Sequence, residues 1–365
     1  MSKLDTARQE INRIDAEMAR LFEQRMAAAR LVAEHKMERG LPIKDEAREA
    51  ALIDRNSTLI EDDTIREYYV QFLRSTIDVS CDYQRRLMGT LRVAYSGVEG
   101  AFAHISAGRI FPNAERISHK DFRSAYNAVR RGTCDCAVLP IENSYNGEVG
   151  EVMDLLFFGP LHVNGVYELS IRQNLIVLPG THIEDIKTVF SHPQALGQCS
   201  GYLHDHGWQQ VEYANTALAA EHVAKLNDKS VAAIASEETA ALYGLEVLQA
   251  NINASRQNTT RFAVVSRTEN RSLGKQMGDH FMLVFTSRNE AGSLARALDV
   301  LGNTYGYNMR TLRSRPVKEL LWEYYFYLEA EGDIFSTKGQ QMLRDMEPFC
   351  DRIKVIGTFS RHAIL

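Results

Sequence analysis

The chain has 365 residues, 45% of them hydrophobic and 24% charged. That is too apolar for a disordered chain and too long for one ordinary core, so two or three domains are expected. A formal net charge of -5 leaves no positive excess to neutralise phosphates and argues against nucleic acid as the main partner. Cys81, Cys134, Cys136, Cys199 and Cys350 are odd in number, scattered and without a CxxC pair. Neither a disulfide framework nor a zinc site is signalled, and buried thiols in a reducing compartment are expected. The first residues open straight into a charged helical pattern with no apolar leader, and no window of about 18 apolar residues follows. A cytoplasmic protein without a membrane span is the expectation.

From Leu4 the apolar residues fall at Leu4, Ala7, Ile11, Ile14, Met18 and Leu21, and the register continues through Arg25, Ala28 and Val32. Steps of three and four predict one long amphipathic helix. A short second helix follows Leu41-Pro42. A third, over about residues 62–87, carries Ile65, Tyr69, Phe72, Thr76, Val79, Tyr83 and Leu87 along its inner side. The first helix is too long to fold back into a compact bundle, so the segment should bury its stripe against a second copy of itself, giving a homodimer or a higher homo-oligomer.

After Gly89 the period changes. Residues 91–95 read as a strand, Gly97-Val98-Glu99-Gly100 as a tight loop and 101–110 as a helix. The strand-then-helix phrase recurs at 136–139, 188–190 and 230–234, and 261–266 supplies another strand, an α/β pattern whose ligands would sit at the strand ends. Residues 268–278 look like a linker. Beyond it, strand 280–286, helix 291–305, strands 309–313 and 322–330, helix 338–352 and strand 354–358 make a ferredoxin-like βαββαβ order.

Arg25 lies in register with the apolar stripe, where an unpaired guanidinium costs on the order of several kcal/mol unless an anion meets it. Lys36 lies three turns on, Asp45, Arg48 and Glu49 share one face of the second helix, and Ser80 and Gln84 are four apart on the third. Such a set can clamp a small dianion and contains no base-activated nucleophile. On spacing alone, salt bridges within a helical dimer are the commoner reading. In order and spacing, Arg8-Gln9-Glu10-Ile11, Ile14-Asp15, Arg25, Lys36, Pro42-Ile43-Lys44-Asp45, Arg48-Glu49, Ser80 and Gln84 resemble the all-helical chorismate mutases found fused to prephenate dehydratases, over residues 4–87. The resemblance implies that Arg25 and an Arg8 from the partner subunit hold the two carboxylates of chorismate, that Lys36 and Gln84 act on its ether oxygen, and that Glu49 takes the ring hydroxyl. Asp45, Arg48 and Ser80 complete the pocket, and the implied reaction is a Claisen rearrangement to prephenate.

Four polar phrases follow or precede strands in the next segment: Ser96-Gly97-Val98-Glu99-Gly100, Pro140-Ile141-Glu142-Asn143-Ser144, Ser191-His192-Pro193-Gln194 and Thr259-Thr260-Arg261-Phe262. The first can present backbone N–H groups to an anion or serve as an ordinary tight turn. Glu142 reads equally as a cap or an acid, and His192 more readily as structural than as a base. Together with Gln198-Cys199 and Tyr243-Gly244-Leu245, the phrases resemble the prephenate dehydratases over residues 91–268. That resemblance implies two lobes like type II periplasmic binding domains, with Asn143, Ser191, Gln198, Thr260 and Arg261 facing prephenate. Thr260 would assist the departing hydroxyl and Arg261 would anchor a carboxylate. Phenylpyruvate is the implied product, with no metal and no organic cofactor. The first loop departs from the commoner family form, which has proline after the first glycine and serine after the second.

The last segment resembles the ACT domains that bind amino acids. Gly292-Ser293-Leu294 stands where that family commonly has Gly-Ala-Leu, and Arg313-Ser314-Arg315-Pro316 where it has Glu-Ser-Arg-Pro, so Arg313 reverses a charge. Gly292, Leu294, Ser314, Arg315 and Pro316 are the implied contacts for phenylalanine as a feedback ligand. The expected organisation is therefore a helical mutase domain at 1–89, a dehydratase domain at 90–268 and a regulatory ACT domain at 279–365. A dehydratase acting on arogenate and a non-catalytic amino-acid sensor are the alternatives.

Overall fold

The structure is a computed structural model describing residues 2–39, 41–254, 258–270, 279–316, 324–360 and 363–365. The expected linker falls mostly outside these residues, at 271–278, as do Trp322 and Glu323 at the expected start of a strand. Two compact units are present: residues 1–91 with 113–115, and residues 92–112 with 116–365.

In the first unit, helix α1 (Lys3–Arg39) has 37 residues and spans roughly 55 Å. Helices α2 (Glu46–Ser57) and α3 (Asp63–Leu87) are each opened by an aspartate: Asp45 accepts the Arg48 N–H and Asp62 that of Thr64. Leu73, Ile77 and Cys81 of α3 make a small core with Ile43, Leu52, Ile53 and Tyr69. The buried residues of α1 are Ala29 and Ala33, small enough to let it close on α3. Of the stripe expected along α3, Tyr69 packs on this core, whereas Ile65, Phe72 and Val79 are 51%, 50% and 46% exposed in the single chain. The helix carries two apolar faces, and the one that meets its neighbours is Leu73, Ile77 and Cys81. Leu4, Ile11, Ile14, Met18 and Leu21 of α1 are likewise exposed in the single chain.

In the second unit, a first lobe contains β1 (Arg92–Ser96), α4 (Phe102–Ile110), β2 (Glu115–His119), α5 (Phe122–Arg130), β3 (Cys136–Asn143), β4 (Gly147–Glu148), α6 (Gly150–Phe158) and β5 (His162–Ser170). The chain then builds a second lobe from β6 (Asn174–Val177), β7 (Thr188–Ser191), α7 (Pro193–Gln198), α8 (Ser200–His206), β8 (Gln209–Glu212), α9 (Thr216–Leu226), β9 (Val231–Ala235), α10 (Glu237–Leu242) and β10 (Glu246–Gln249). Their sheet has the order β10-β6-β9-β7-β8. Strand β11 (Thr259–Ser266) returns to the first lobe and inserts between β3 and β5, antiparallel to both. With β1 and β3 parallel, the sheet of this lobe is a mixed one.

The last segment runs β12 (His280–Ser287), α11 (Ser293–Asp299), β13 (Asn308–Pro316), β14 (Tyr324–Glu331), α12 (Thr337–Met346), β15 (Cys350–Phe359) and β16 (Ala363–Ile364). Its sheet order β13-β14-β12-β15 is that of a ferredoxin-like fold. Helix α12 stops at Met346, earlier than expected, and a 3₁₀ turn at Glu347–Phe349 leads directly into β15. Pro348 has no N–H to continue the α-helical ladder.

This segment is continuous with the first lobe, because β15 pairs with β5 through Gly357 and Val163. One hydrophobic core spans the seam, joining Leu139, Val152 and Leu156 to Met282, Val284, Tyr325 and Ile356. The Phe157 and Tyr325 rings stack at 4.3 Å. A Cβ on Gly357 would stand 1.9 Å from the Val163 carbonyl oxygen, so only glycine lets the two sheets close. Gly357→Ala is therefore expected to destabilise the second unit by about 3 kcal/mol, lowering its melting temperature by roughly 6 °C in a thermal scan. An unchanged melt would show that the seam yields to a methyl group.

Candidate active sites

In the helical unit, one cavity of about 210 Å³ is lined by Arg25, Lys36, Asp45, Arg48, Glu49, Ser80 and Gln84 together with Val32, Leu52, Ile77 and Cys81. Helix periodicity does the gathering. Arg25 and Lys36 are three turns apart on one face of α1, Arg48 and Glu49 sit in the first turn of α2, and Ser80 and Gln84 are one turn apart on α3. The Arg25 guanidinium donates to the Thr76 carbonyl at 3.1 Å and to Ser80 Oγ. Lys36 Nζ is held by the Ile43 carbonyl. Gln84 Nε2 donates to the Ser80 carbonyl at 3.3 Å, while its buried Oε1 meets no partner among the described residues. Burial holds Arg25 below the ordinary guanidinium range, so an anion entering the cavity would be met by a poorly solvated cation. Burial and then the neighbouring Glu49 carboxylate push the Cys81 thiol up, which keeps it protonated, a weak donor at 3.8 Å from Glu49. Arg8 is not in this group. It is exposed on α1, roughly 25 Å before Arg25 along the helix axis.

In the second unit, the antiparallel register pairs Thr260 with Asn143. Asn143 Nδ2 donates to Thr260 Oγ1 and to Asn258 Oδ1, both at 2.9 Å. Asn258 Nδ2 in turn donates to Gln198 Oε1 at 2.9 Å, where Gln173 Nε2 also points at 3.3 Å. The first lobe, the second lobe and the returning strand thus meet in a chain of neutral amides ending on one hydroxyl. Because Thr260 Oγ1 accepts from Asn143, its own O–H proton can be directed to a bound molecule. Asn258, 3% exposed, and Gln173 were not singled out by the sequence. Their only signals were that Asn258 immediately precedes Thr259-Thr260 and that Gln173 opens the crossing to the second lobe.

Two residues expected beside Thr260 have their polar groups engaged by other partners. Ser191 is fully buried and donates to the Ile234 carbonyl at 2.7 Å, tying β7 to β9. Arg261, next to Thr260 on a strand, points to the opposite face, where it pairs with Glu142 at 3.2 Å and Glu329 at 2.9 Å. Glu142 accordingly belongs to an ion pair and not to a catalytic acid. His192 caps α7, its Nδ1 accepting the Gln194 N–H. In the Gly97-Gly100 turn the Gly97 N–H is taken by His119 O and the Gly100 N–H by His104 Nδ1.

In the last segment, Gly292 takes a φ of 81° to open α11, and Leu294 packs on the core. Ser314 and Pro316 are exposed on the edge strand β13. Arg315 turns to the first lobe, 2.7 Å from Glu148 and 3.3 Å from Asp154.

The helical cavity and the amide-hydroxyl cluster fall within two matches to known families: chorismate mutase type II over residues 7–85 and prephenate dehydratase over residues 93–270. A bifunctional chorismate mutase/prephenate dehydratase of Enterobacter agglomerans is 31% identical over 367 residues, covering 96% of this chain and 94% of its own. Arogenate dehydratase/prephenate dehydratase 2 of Arabidopsis thaliana is 35% identical over 277 residues, 74% of this chain and 72% of its own. The crystal structure of a prephenate dehydratase from Arthrobacter aurescens in complex with L-Phe superposes with a TM-score of 0.67 at 27% identity, covering 74% of this chain and 90% of that one. With two matched families in the same order as in a relative aligned nearly end to end, the chain belongs to the bifunctional chorismate mutase/prephenate dehydratases.

Proposed function

We propose that the chain makes phenylpyruvate from chorismate in two steps of phenylalanine biosynthesis, an isomerisation in the helical unit followed by a decarboxylative dehydration in the second unit. The observation that carries the first step is the single cavity collecting seven polar side chains from three helices. Arg25 and the Arg8 of a second copy hold the two carboxylates of chorismate. Lys36 and Gln84 donate to the ether oxygen as its C–O bond breaks, Glu49 accepts from the ring hydroxyl, and Asp45, Arg48 and Ser80 fix these groups. Because one C–C bond forms as the C–O bond breaks within one molecule, holding the reactive conformer and stabilising charge on the ether oxygen suffice. The homodimer this requires is supported by the exposed stripe of α1.

In the second step the ring carboxylate of prephenate leaves as CO₂. Its bonding electrons enter the ring, which becomes aromatic, and the ring hydroxyl departs with one proton as water. Thr260 assists that departure by hydrogen bonding, oriented by Asn143, with Asn258 and Gln198 holding Asn143 in place. Neither step calls for a metal or an organic cofactor.

The domains read as 1–89, 90–268 and 279–365, the last an ACT domain that senses phenylalanine through Gly292, Leu294 and the Ser314-Arg315-Pro316 stretch. Support comes from its βαββαβ order and from the L-Phe complex of the Arthrobacter relative. With Arg315 engaged by Glu148 and Asp154, its part is to set the course of β13. A cytoplasmic location accords with five buried free cysteines.

Following prephenate and phenylpyruvate after adding chorismate tests the reading, and turnover of neither ends it. Thr260→Ala is expected to lower dehydration at least about 100-fold and leave the mutase intact, and Arg25→Ala to do the reverse. Equal loss of both activities in either variant would point to misfolding. Offering prephenate and arogenate at equal concentration decides the substrate: a higher kcat/KM for arogenate would replace prephenate in the second step. Phenylalanine is expected to slow dehydration, and an unchanged rate would remove the sensing role.

A further inference from the structure

A chain of alternating charges crosses the largest sheet of the second unit. The Arg261 guanidinium lies between Glu142 Oε2 at 3.2 Å and Glu329 Oε2 at 2.9 Å. The other Glu329 oxygen meets His280 Nδ1 at 2.8 Å, and the other Glu142 oxygen meets Arg313 Nη2 at 3.7 Å. Glu142 and Arg261 belong to the first lobe, whereas His280, Arg313 and Glu329 belong to the βαββαβ segment. The side chain of Glu329 is 4% exposed and that of Arg261 18%, so neither charge is easily solvated if its partner moves away. Burial pushes the Glu329 carboxyl up, but the His280 hydrogen bond and the Arg261 charge outweigh it and keep the group ionised.

The position of this chain matters more than its strength. Glu142 and Arg261 face one another across β3 and β11, and the next pair in the register is Asn143 with Thr260. Whatever fixes the first pair fixes the second, one residue along and on the opposite face. A cavity of about 210 Å³, lined in part by Val166, Arg261, His280, Glu329 and Phe359, gives the guanidinium room to shift that a packed core would deny.

We propose that Arg261 is a positioning residue of the dehydratase: gripped by Glu329 of the βαββαβ segment, it sets the β3 and β11 alignment that brings Asn143 to Thr260. The proposal rests on the reading of Thr260 as the dehydration site. It also gives Arg313 a use, since the reversed charge supplies Glu142 with a second cation at the end of the stretch proposed to sense phenylalanine.

The test uses the full chain. Glu329→Gln keeps the shape and removes the charge, and is expected to lower kcat for prephenate dehydration about tenfold with KM within about twofold, because an interaction made for alignment acts in the transition state. Mutase turnover stays unchanged. Arg261→Lys, which keeps the charge and loses the fork, is expected to fall in between. Glu142→Gln lowers kcat in the same direction, and the double variant Glu142→Gln/Glu329→Gln loses less than the product of the single losses, because both act through one guanidinium. An unchanged kcat in a folded Glu329→Gln variant overturns the proposal, as do strictly multiplicative losses. So does a raised KM at constant kcat in Arg261→Lys, which would make Arg261 a substrate ligand. If Glu329→Gln melts early, Glu142→Gln decides alone, since its carboxylate is 25% exposed, and an unchanged kcat there is equally fatal. Wild-type chain that leaves prephenate untouched would end the reading of Thr260 itself, a separate outcome.

Discussion

The insertion of β11 between β3 and β5 is the constraint on which the second unit depends. A strand that returns from the second lobe must donate and accept along both edges, and its side chains must alternate between two faces. At its start that alternation sends Thr260 towards Asn143 and Arg261 towards Glu142 and Glu329. Two neighbouring residues thereby serve two ends, one the amide cluster and the other the seam with the βαββαβ segment. A slip of one residue would exchange them. The seven-residue pairing with β3 and the eight-residue pairing with β5 make that slip costly.

The seam has its own physical logic. The apolar part, with Leu156, Tyr325 and Ile356 in one core, supplies most of the adhesion, since burial is favourable in proportion to area and insensitive to direction. The ionic part supplies little net stability, because desolvation of Arg261 and Glu329 offsets their attraction, but leaving either one alone would cost about 3–5 kcal/mol. Charges so placed select one arrangement of the two sheets. An apolar seam alone would leave neighbouring arrangements closer in energy.

The helical unit is the more legible part of the sequence. Helical spacing turns sequence distance into a face, so the order of residues alone puts Arg25, Lys36, Glu49, Ser80 and Gln84 on inward surfaces. What spacing does not decide is which of two apolar faces of α3 is covered within the chain, because Phe72 and Leu73 are equally hydrophobic and only packing against Ile43, Leu52 and Ile53 distinguishes them. In the second unit the strands β1, β3, β7, β9 and β11 are readable as apolar runs. Strand β2, with the sequence Glu-Arg-Ile-Ser-His, and β5, interrupted by Asn164 and Gly165, carry no such signal. The site there joins Asn143 to Thr260 across 117 positions, and no local period encodes the direction in which β11 runs. A motif match brings Ser191 and Arg261 into the site with Thr260, although the first is spent on a strand contact and the second on the opposite face.

The two sites also differ in what completes them. The amide cluster around Thr260 draws on β3, on α7 and on the approach to β11, all within one chain. Its amides are bonded to one another, with Gln173 Oε1 the one amide oxygen that meets no partner among the described residues. The helical cavity has its cations and carboxylates in place, but one side of Gln84 stays unmatched and Arg8 stands far along a helix whose apolar face is exposed. A helix of 37 residues is longer than its own two short partners can cover, and covering it with a second copy would bring a distant arginine to the neighbour's cavity. On the proposed reading, the length of α1 is therefore a property of the site as much as of the fold. It reaches across to finish a pocket that the chain by itself leaves open.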